Sequence, residues 1–339
     1  MRNKTKLPTL ADVANLAGVS SMTVSRALKP DTSVSKATRE KIQKAADELG
    51  YVLDTRASEF SSGKSGFVAI TIPSINNGNF ADTVKAFSDG LVEQDLQVLL
   101  GYTNYHVDRE EQLVEQLLKK RPEAIVVTGG MHTDRCRLLL ENSGIPVIET
   151  WDVPEKPIDH VVGFSNLQAS ELMFEHFIAQ GHKKIGFIGG DNSRDSRGRD
   201  RYLGFCNTME KYGLASDRVS FQELAPFSME PGASGIQSIM KEWPDTEAVM
   251  CVSDLIAFGA ITECQRMGMN VPEDVKIGGF GAYELGQFLN PSITTIDVGA
   301  AQIGKFAAEK IIELLSDDGD TKSAKIVKTE PILIKRQSA

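Results

Sequence analysis

The sequence predicts an α/β protein, with an N-terminal helix–turn–helix head followed by a two-lobed body on parallel sheets. Three observations carry this. Residues 9–28 read as two short helices around a turn. From residue 66 onward, apolar runs of strand length alternate with helical patterns. Charge divides at the same place: residues 1–64 hold 11 Lys/Arg against 7 Asp/Glu, a balance of +4, and the other 275 hold 26 against 39, a balance of −13. A basic head on an acidic body suits phosphate contact confined to the head.

In the head, Thr9 and Ser20 are placed to cap the two helices, because a hydroxyl at the N-cap accepts a bond from an orphan backbone N–H. Leu10, Val13, Ala14 and Ala17 fall on one face at helical spacing. Gly18 suits the left-handed residue that ends the first helix. The second helix is expected to bury Val24 and Leu28 and to present Ser21, Met22, Thr23, Ser25 and Arg26 to a DNA major groove. Ser35 caps a third helix with the stripe Ile42, Ala45, Ala46 and Leu49, ended by Gly50. Arg26 is the leading base reader, since a guanidinium grips guanine O6 and N7 together. Thr9, Thr23, Ser25, Lys29, Ser33, Ser35 and Thr38 are expected on phosphate or sugar, with Arg2, Lys4 and Lys6 as a basic arm.

Body strands are expected at 67–72, 98–100, 124–128, 147–149, 185–188, 248–252 and 275–279, with a last strand pattern at 332–334. Helices are expected at 80–93, 108–118, 168–179, 232–241 and 255–267. Alternation of this kind gives parallel sheets covered on both faces, and about 270 residues suit two sheets with a cleft between them. Apolar content of 41% and charged content of 24% over 339 residues are those of an ordinary globular chain. The start of the chain lacks the apolar core of a secretory leader, so a cytoplasmic, nucleoid-associated protein without membrane contact is expected.

Enzyme signatures fail. The glycines at 186–190 and 279–281 lack GxGxxG spacing, Glu284 standing where a third glycine is needed. There is no P-loop, HExxH or GxSxG. His106, His132, His160, His176 and His182 show no ligand spacing and read as surface or packing residues. Cys136, Cys206, Cys251 and Cys264 include no CxxC pair and read as reduced thiols. No metal, cofactor or catalytic residue is expected.

The head resembles the LacI family of bacterial transcription factors. The resemblance rests on residues 9–14 (Thr-Leu-Ala-Asp-Val-Ala), 17–20, 23–26, 34–35, 38–42 and 49–51 (Leu-Gly-Tyr). It extends over the body through 181–185, Arg201-Tyr202-Leu203-Gly204-Phe205, 253–257 and 291–296, and implies the two-lobed fold of periplasmic sugar-binding proteins. The implied parts are a head at 1–52 and a hinge helix or linker at 53–65. Lobe one is then 66–164 with 296–325, and lobe two 165–295 with 326–339. Stretches 162–166, 263–268 and 279–287 are similar to gluconate-utilisation repressors.

The resemblance implies that Ser21 and Met22 select the operator. It implies a hinge helix whose DNA contacts are Ala57 and Phe60, the latter where relatives wedge a leucine into the minor groove. Leu53, Asp54 and Glu59 depart from the family pattern there.

Ligands of such sheets sit at the carboxyl ends of strands. The polar or aromatic residues there are Asn77, Asn79, Glu149, Trp151, Asp152, Ser253 and Asp254. Arg201 matches the family's ligand arginine. Gly281 stands where many sugar-binding relatives carry an Asp. A missing carboxylate opposite an arginine favours an anion through a charge-assisted pair, and the opposing reading of Gly281 is a tight turn. The expectation is a homodimeric, sequence-specific repressor induced by a small sugar acid such as gluconate. Each head reads one half of a pseudo-palindromic operator, and no apolar heptad tail follows the strand pattern at 332–334, so assembly is expected to stop at dimers. The alternatives are a family member responding to a neutral sugar or purine, and a solute receptor without a transcriptional role, which the head disfavours.

Overall fold

The structure is a computed structural model that describes residues 7–28, 34–53, 64–190, 195–222, 228–316 and 325–339. It divides into two compact units, Met1–Lys64 and Ser65–Ala339. No helix among the described residues is long and apolar enough to cross a membrane.

The first unit is built from α1 (Leu10–Ala17), α2 (Ser21–Ala27) and α3 (Lys36–Leu49). Thr9 and Asp12 form a reciprocal capping box. Thr9 Oγ1 takes the Asp12 N–H at 3.3 Å, and the Thr9 N–H reaches the Asp12 carboxylate at 2.8 Å. Ser20 and Ser35 cap α2 and α3 through the Thr23 and Thr38 N–H groups. Gly18 and Gly50 end α1 and α3 at φ 63° and 64°, where a side chain would be strained. Val13, Ala14, Ala17, Val24, Ala27, Ile42, Ala45 and Ala46 make the core, and Leu10, Leu28, Leu49 and Tyr51 seal its edge. The buried pair on α2 is therefore Val24 and Ala27. Leu28 is the half-buried C-cap and not the second core residue that its spacing suggested.

The second unit opens with a six-stranded parallel sheet. Its strands are β1 (Phe67–Ile72), β2 (Gln97–Tyr102), β3 (Ala124–Thr128), β4 (Val147–Thr150), β5 (His160–Gly163) and β11 (Ile326–Lys328). Their spatial order is β11-β5-β4-β3-β1-β2. Alternate residues serve opposite faces. Val68, Ile70 and Ile72 join the side of α4 (Gly78–Leu91) and α12 (Ala300–Leu315). Ala69, Ile125 and Val127 join the side of α5 (Val107–Leu118) and α6 (Asp134–Glu141). Burial on both faces is why these strands read as continuous apolar runs. The two helices α4 and α12 lie in near backbone contact, since a Cβ on Gly304 would collide with the Thr83 carbonyl. Thr83 Oγ1 donates to the Ala300 carbonyl at 2.8 Å across the same seam.

A second, four-stranded parallel sheet has the order β7-β6-β8-β9. Its strands are β6 (Ile185–Gly190), β7 (Val219–Gln222), β8 (Ala248–Cys251) and β9 (Lys276–Gly278). Helices α7 (Asn166–Ala179), α8 (Ser196–Lys211), α9 (Glu230–Glu242), α10 (Asp254–Arg266) and the short α11 (Glu284–Phe288) accompany it. Phe174, Phe187 and Phe205 pack within 6.4 Å of one another, centroid to centroid, between α7, β6 and α8. A small antiparallel pair, β10 (Thr295–Asp297) with β12 (Ile332–Ile334), completes the unit.

Pairing corrects one expected boundary. Ile326 lies opposite Val161 in the first sheet, so residues 326–328 belong with lobe one. The last return to lobe two falls after Lys328.

Candidate DNA-reading head and effector cleft

In the head, Ser21, Met22 and Arg26 are exposed on α2, and Thr23 and Ser25 are half-buried. Met22 keeps 65% of its surface in solvent, an outward position that the three-helix core does not require. The hydroxyls of Thr9, Ser20 and Ser35 are engaged as helix caps, and Thr38 Oγ1 lies 2.8 Å from Ser35 Oγ. The Thr9 hydroxyl proton is already given to the Asp12 carboxylate at 2.6 Å, whereas the Ser20 and Ser35 hydroxyls accept cap bonds and can still turn a proton to phosphate. Lys29, Ser33, Ala57, Phe60 and the hinge stretch 54–62 lie outside the described residues.

The body holds a cleft of roughly 460 Å³ between the carboxyl ends of the two sheets. Lobe one contributes Asn77, Asn79 and Phe80 after β1, Tyr105 after β2 and Trp151 after β4. Lobe two contributes Asp195, Arg197 and Arg201 at the start of α8, Val252 and Ser253 after β8, and Phe280 and Tyr283 after β9. Asn77, Asn79, Trp151, Arg201 and Ser253 thus come together as the sequence suggested.

Trp151 stands on an edge-to-face chain of rings, 5.0 Å from Phe80 and 6.0 Å from Phe164. Its backbone is in the left-handed region at φ 68°, a strain of about 1–3 kcal/mol for a non-glycine residue. Bonds at both of its peptide groups hold it there. Its N–H donates to the Val162 carbonyl at 3.2 Å, and its carbonyl accepts from Asn166 Nδ2 at 2.9 Å. The indole Nε1 is buried and has no partner.

Arg201 is less free than its sequence match implies. Its Nε and Nη2 both donate to Asn166 Oδ1, at 2.9 and 2.8 Å, and its Nη1 donates to the Val252 carbonyl at 2.8 Å. The guanidinium lies 3.7 Å from the Phe280 ring centroid. Burial lowers its pKa to about 10, Asp195 opposing and Arg197 adding to the fall, so it stays a cation at neutral pH. Two of its five N–H groups remain for a ligand.

Arg197 is the residue that the sequence reading missed. Its Nε donates to Asp195 Oδ1 at 2.7 Å, while its Nη1 is buried without a partner. Burial opposes its charge, but Asp195 wins and raises its pKa. A signal existed: Arg197 and Arg201 are spaced i, i+4 and share one face of α8. Asn166, which anchors both Trp151 and Arg201, was seen only as part of a motif.

Four expected effector residues need correction. Glu149 does not face the cleft. It is fully buried inside lobe one, taking the Ile158 N–H at 2.6 Å and lying 3.5 Å from His132 Nε2. Asp254 is spent on the fold, since its carboxylate takes Thr295 Oγ1 at 2.6 Å and the Tyr283 N–H at 2.7 Å. Burial pushes its pKa up to about 6. Asp152 accepts from Ser196 Oγ at 2.7 Å and from the Val153 N–H at 2.8 Å, which makes it a strap between the lobes. Gly281 is demanded by its backbone, with φ 117°, and a Cβ there would collide with the Asn79 side-chain amide. The tight-turn reading of this glycine therefore holds. A second cross-lobe strap runs from the Tyr283 hydroxyl to Asn77 Oδ1 at 2.5 Å.

A further polar cluster lies within lobe one. His132 Nδ1 is 2.7 Å from Glu110 Oε2, and Cys136 Sγ is 4.0 Å from the same oxygen. Burial disfavours the His132 cation, but Cys136 and the nearby Glu110 and Glu149 carboxylates outweigh it and push its pKa up to about 12.

One chain that combines a helix–turn–helix unit with a two-lobed binding body defines a ligand-responsive DNA-binding regulator. Comparison agrees in both parts. Residues 9–54 match the family described as "Bacterial regulatory proteins, lacI family", and 174–339 match "Periplasmic binding protein-like domain". The chain is 31% identical over 318 residues to the HTH-type transcriptional regulator GntR of Escherichia coli, covering 94% of this chain and 95% of that one. It is 33% identical to the GntR regulator of Pseudomonas aeruginosa over 91% of this chain and 90% of the other. Among solved structures, a LacI-family transcriptional regulator from Silicibacter pomeroyi superposes with a TM-score of 0.91 at 32% identity, covering 98% and 99% of the two chains. The chain belongs to the lacI family of bacterial transcriptional regulators. Its relatives are DNA-binding proteins and not enzymes.

Proposed function

We propose that this protein is a repressor that binds a pseudo-palindromic operator as a homodimer, and that a small sugar acid of the gluconate class in the cleft sets its operator affinity. The observation that carries the effector half is the pair of buried donors without partners, Arg197 Nη1 and Trp151 Nε1, in a cleft that also holds Arg201. Unpaired buried donors cost free energy until an acceptor arrives. A carboxylate is the acceptor that best answers a guanidinium. Asn77, Asn79 and Ser253 suit the hydroxyls of a polyol, and the faces of Trp151 and Phe80 suit its C–H surface. The likeness of 162–166, 263–268 and 279–287 to gluconate-utilisation repressors supports the same choice. Arg197 takes the carboxylate in this reading, with Arg201 assisting.

A ligand that touches both lobes adds to the straps Asn77–Tyr283 and Asp152–Ser196 and favours the closed arrangement. If closure weakens the DNA-bound state, the ligand is an inducer, and operator weakens ligand by the same factor. In the head, Arg26 reads a base pair and Ser21 and Met22 tune the half-site.

Calorimetric titration with aldonates, neutral hexoses and purines, with and without operator DNA, tests the effector. Tight aldonate binding that operator weakens is expected. Tight binding of a hexose or purine without an aldonate response overturns the reading. Sedimentation at micromolar concentration should give dimers, and a tetramer contradicts that part.

A further inference from the structure

We propose that Glu110, His132 and Cys136 form a binding site for one divalent cation of the zinc class, inside lobe one and apart from the effector cleft. The residues come from separate elements. Glu110 lies in the first turn of α5, His132 in the segment after β3 and Cys136 in the first turn of α6. Each offers one ligand atom, and the three atoms lie within 4.8 Å of one another. A nitrogen, an oxygen and a sulfur make the donor set that zinc accepts, and three protein ligands leave a fourth position open.

Adjustment to a tetrahedral ion is small. Ligand atoms around such an ion stand roughly 3.3–3.6 Å apart, from metal–ligand distances of about 2.0–2.3 Å. The observed pairs bracket this range, with His132 Nδ1 to Glu110 Oε2 at 2.7 Å and Cys136 Sγ to the same oxygen at 4.0 Å. Cys136 is fully buried, and the Glu110 and His132 side chains are 6% and 2% exposed, so these groups are held without solvent to scatter them.

A second observation points to a ligand. His132 Nε2 and Glu149 Oε1 are both buried, both lack a hydrogen-bond partner, and face each other at 3.5 Å. When a histidine binds metal through one ring nitrogen, the other N–H turns to a carboxylate that fixes the ring. Glu149 stands where that carboxylate belongs. A small rotation of the ring toward a metal at Nδ1 closes the gap and satisfies both orphan atoms. Charge is also conserved. The cation brings two positive charges, and the imidazole and the thiol each release one proton to solvent. Of the three residues, Glu110 also lines a pocket with Thr128 and Met131.

Cobalt(II) added to the full-length protein tests the site. The expected result is one ion per chain, with a thiolate-to-cobalt charge-transfer band, displaced by zinc. Cys136→Ser should abolish the band while circular dichroism shows the fold intact. Glu149→Gln should keep the band and weaken uptake about 10- to 100-fold, the usual cost of losing such an orienting carboxylate. Absence of the band in the unaltered protein overturns the proposal. So does a band that survives Cys136→Ser, because Cys206, Cys251 or Cys264 would then hold the ion. Uptake of several ions, unaffected by either substitution, means adventitious surface binding and overturns it equally.

Discussion

Replacing Asp254 with asparagine should change how stability depends on pH, in a direction that the surroundings of this side chain fix. Asp254 is 2% exposed and carries an ordinary carboxylate value of 3.8 up to about 6 on folding. Burial is the first cause, opposed by the bonds from Thr295 and Tyr283. A folded pKa above the unfolded one means that the native state binds more protons between pH 3.8 and about 6. This group's contribution therefore falls as pH rises through that window, and levels off above it. A displacement of roughly two units corresponds to about 3 kcal/mol. Asparagine keeps an oxygen for the Tyr283 N–H and turns its amide to Thr295 Oγ1, at a rearrangement cost of about 1 kcal/mol. Trp151 and Trp243, the two tryptophans of the chain, both lie in the body, so urea unfolding followed by tryptophan fluorescence reports on the body alone. Between pH 4.5 and 7.5, wild type should lose about 2 kcal/mol relative to Asp254→Asn, the rest of the difference falling below pH 4.5. A difference between the two proteins that is flat with pH, or that grows in favour of wild type, refutes the reasoning.

Three further outcomes follow from the geometry. Arg26→Ala should collapse the ratio of operator to random-DNA affinity by roughly 1–3 kcal/mol, leaving weak, salt-sensitive binding. An unchanged ratio in filter binding rejects α2 as the reading helix. Gly304→Ala should destabilise the body by about 1–3 kcal/mol in the same urea assay, because the new Cβ meets the Thr83 carbonyl; helix propensity alone predicts a gain of about 1 kcal/mol. Thr9→Ala should cost the head about 1 kcal/mol, read as a lower melting temperature for α1–α3 by circular dichroism of the isolated transition.

Periodicity exposed most of the fold because the elements that carry it are strongly patterned. The three head helices have hydroxyl caps and, in α1 and α3, left-handed glycine ends, all written in local sequence. Strands β1 and β3 start and stop where their apolar runs do, at Phe67–Ile72 and Ala124–Thr128. Elements with a diluted pattern escaped. β5 (His-Val-Val-Gly) and β7 (Val-Ser-Phe-Gln) are short and interrupt their apolar residues with polar ones or glycine. In α8, arginines and an aspartate crowd the first two turns and hide the stripe of Gly204, Phe205, Thr208 and Met209.

The site followed the same rule. Residues just after strands were legible as cleft candidates because sheet topology places them there. Which way each side chain turns was not. Glu149 points into lobe one because a strand alternates faces, and Asp254 turns back to Thr295 and Tyr283, partners 41 and 29 residues away. Arg197 stood four residues before a recognised motif residue and was overlooked. The His132 cluster joins residues separated by 22, 4 and 13 positions, a spacing with no local signature.

The central claim is that an anionic effector held by Arg197 controls operator binding. Operator affinity measured at increasing aldonate, for the wild type and for Arg197→Gln, tests it most directly. The account predicts that aldonate weakens wild-type operator binding about 5- to 150-fold. In Arg197→Gln the same response should require about 10- to 100-fold more aldonate, the loss of one charge-assisted bond. An operator affinity indifferent to every aldonate, or an Arg197→Gln response at wild-type concentrations, contradicts it.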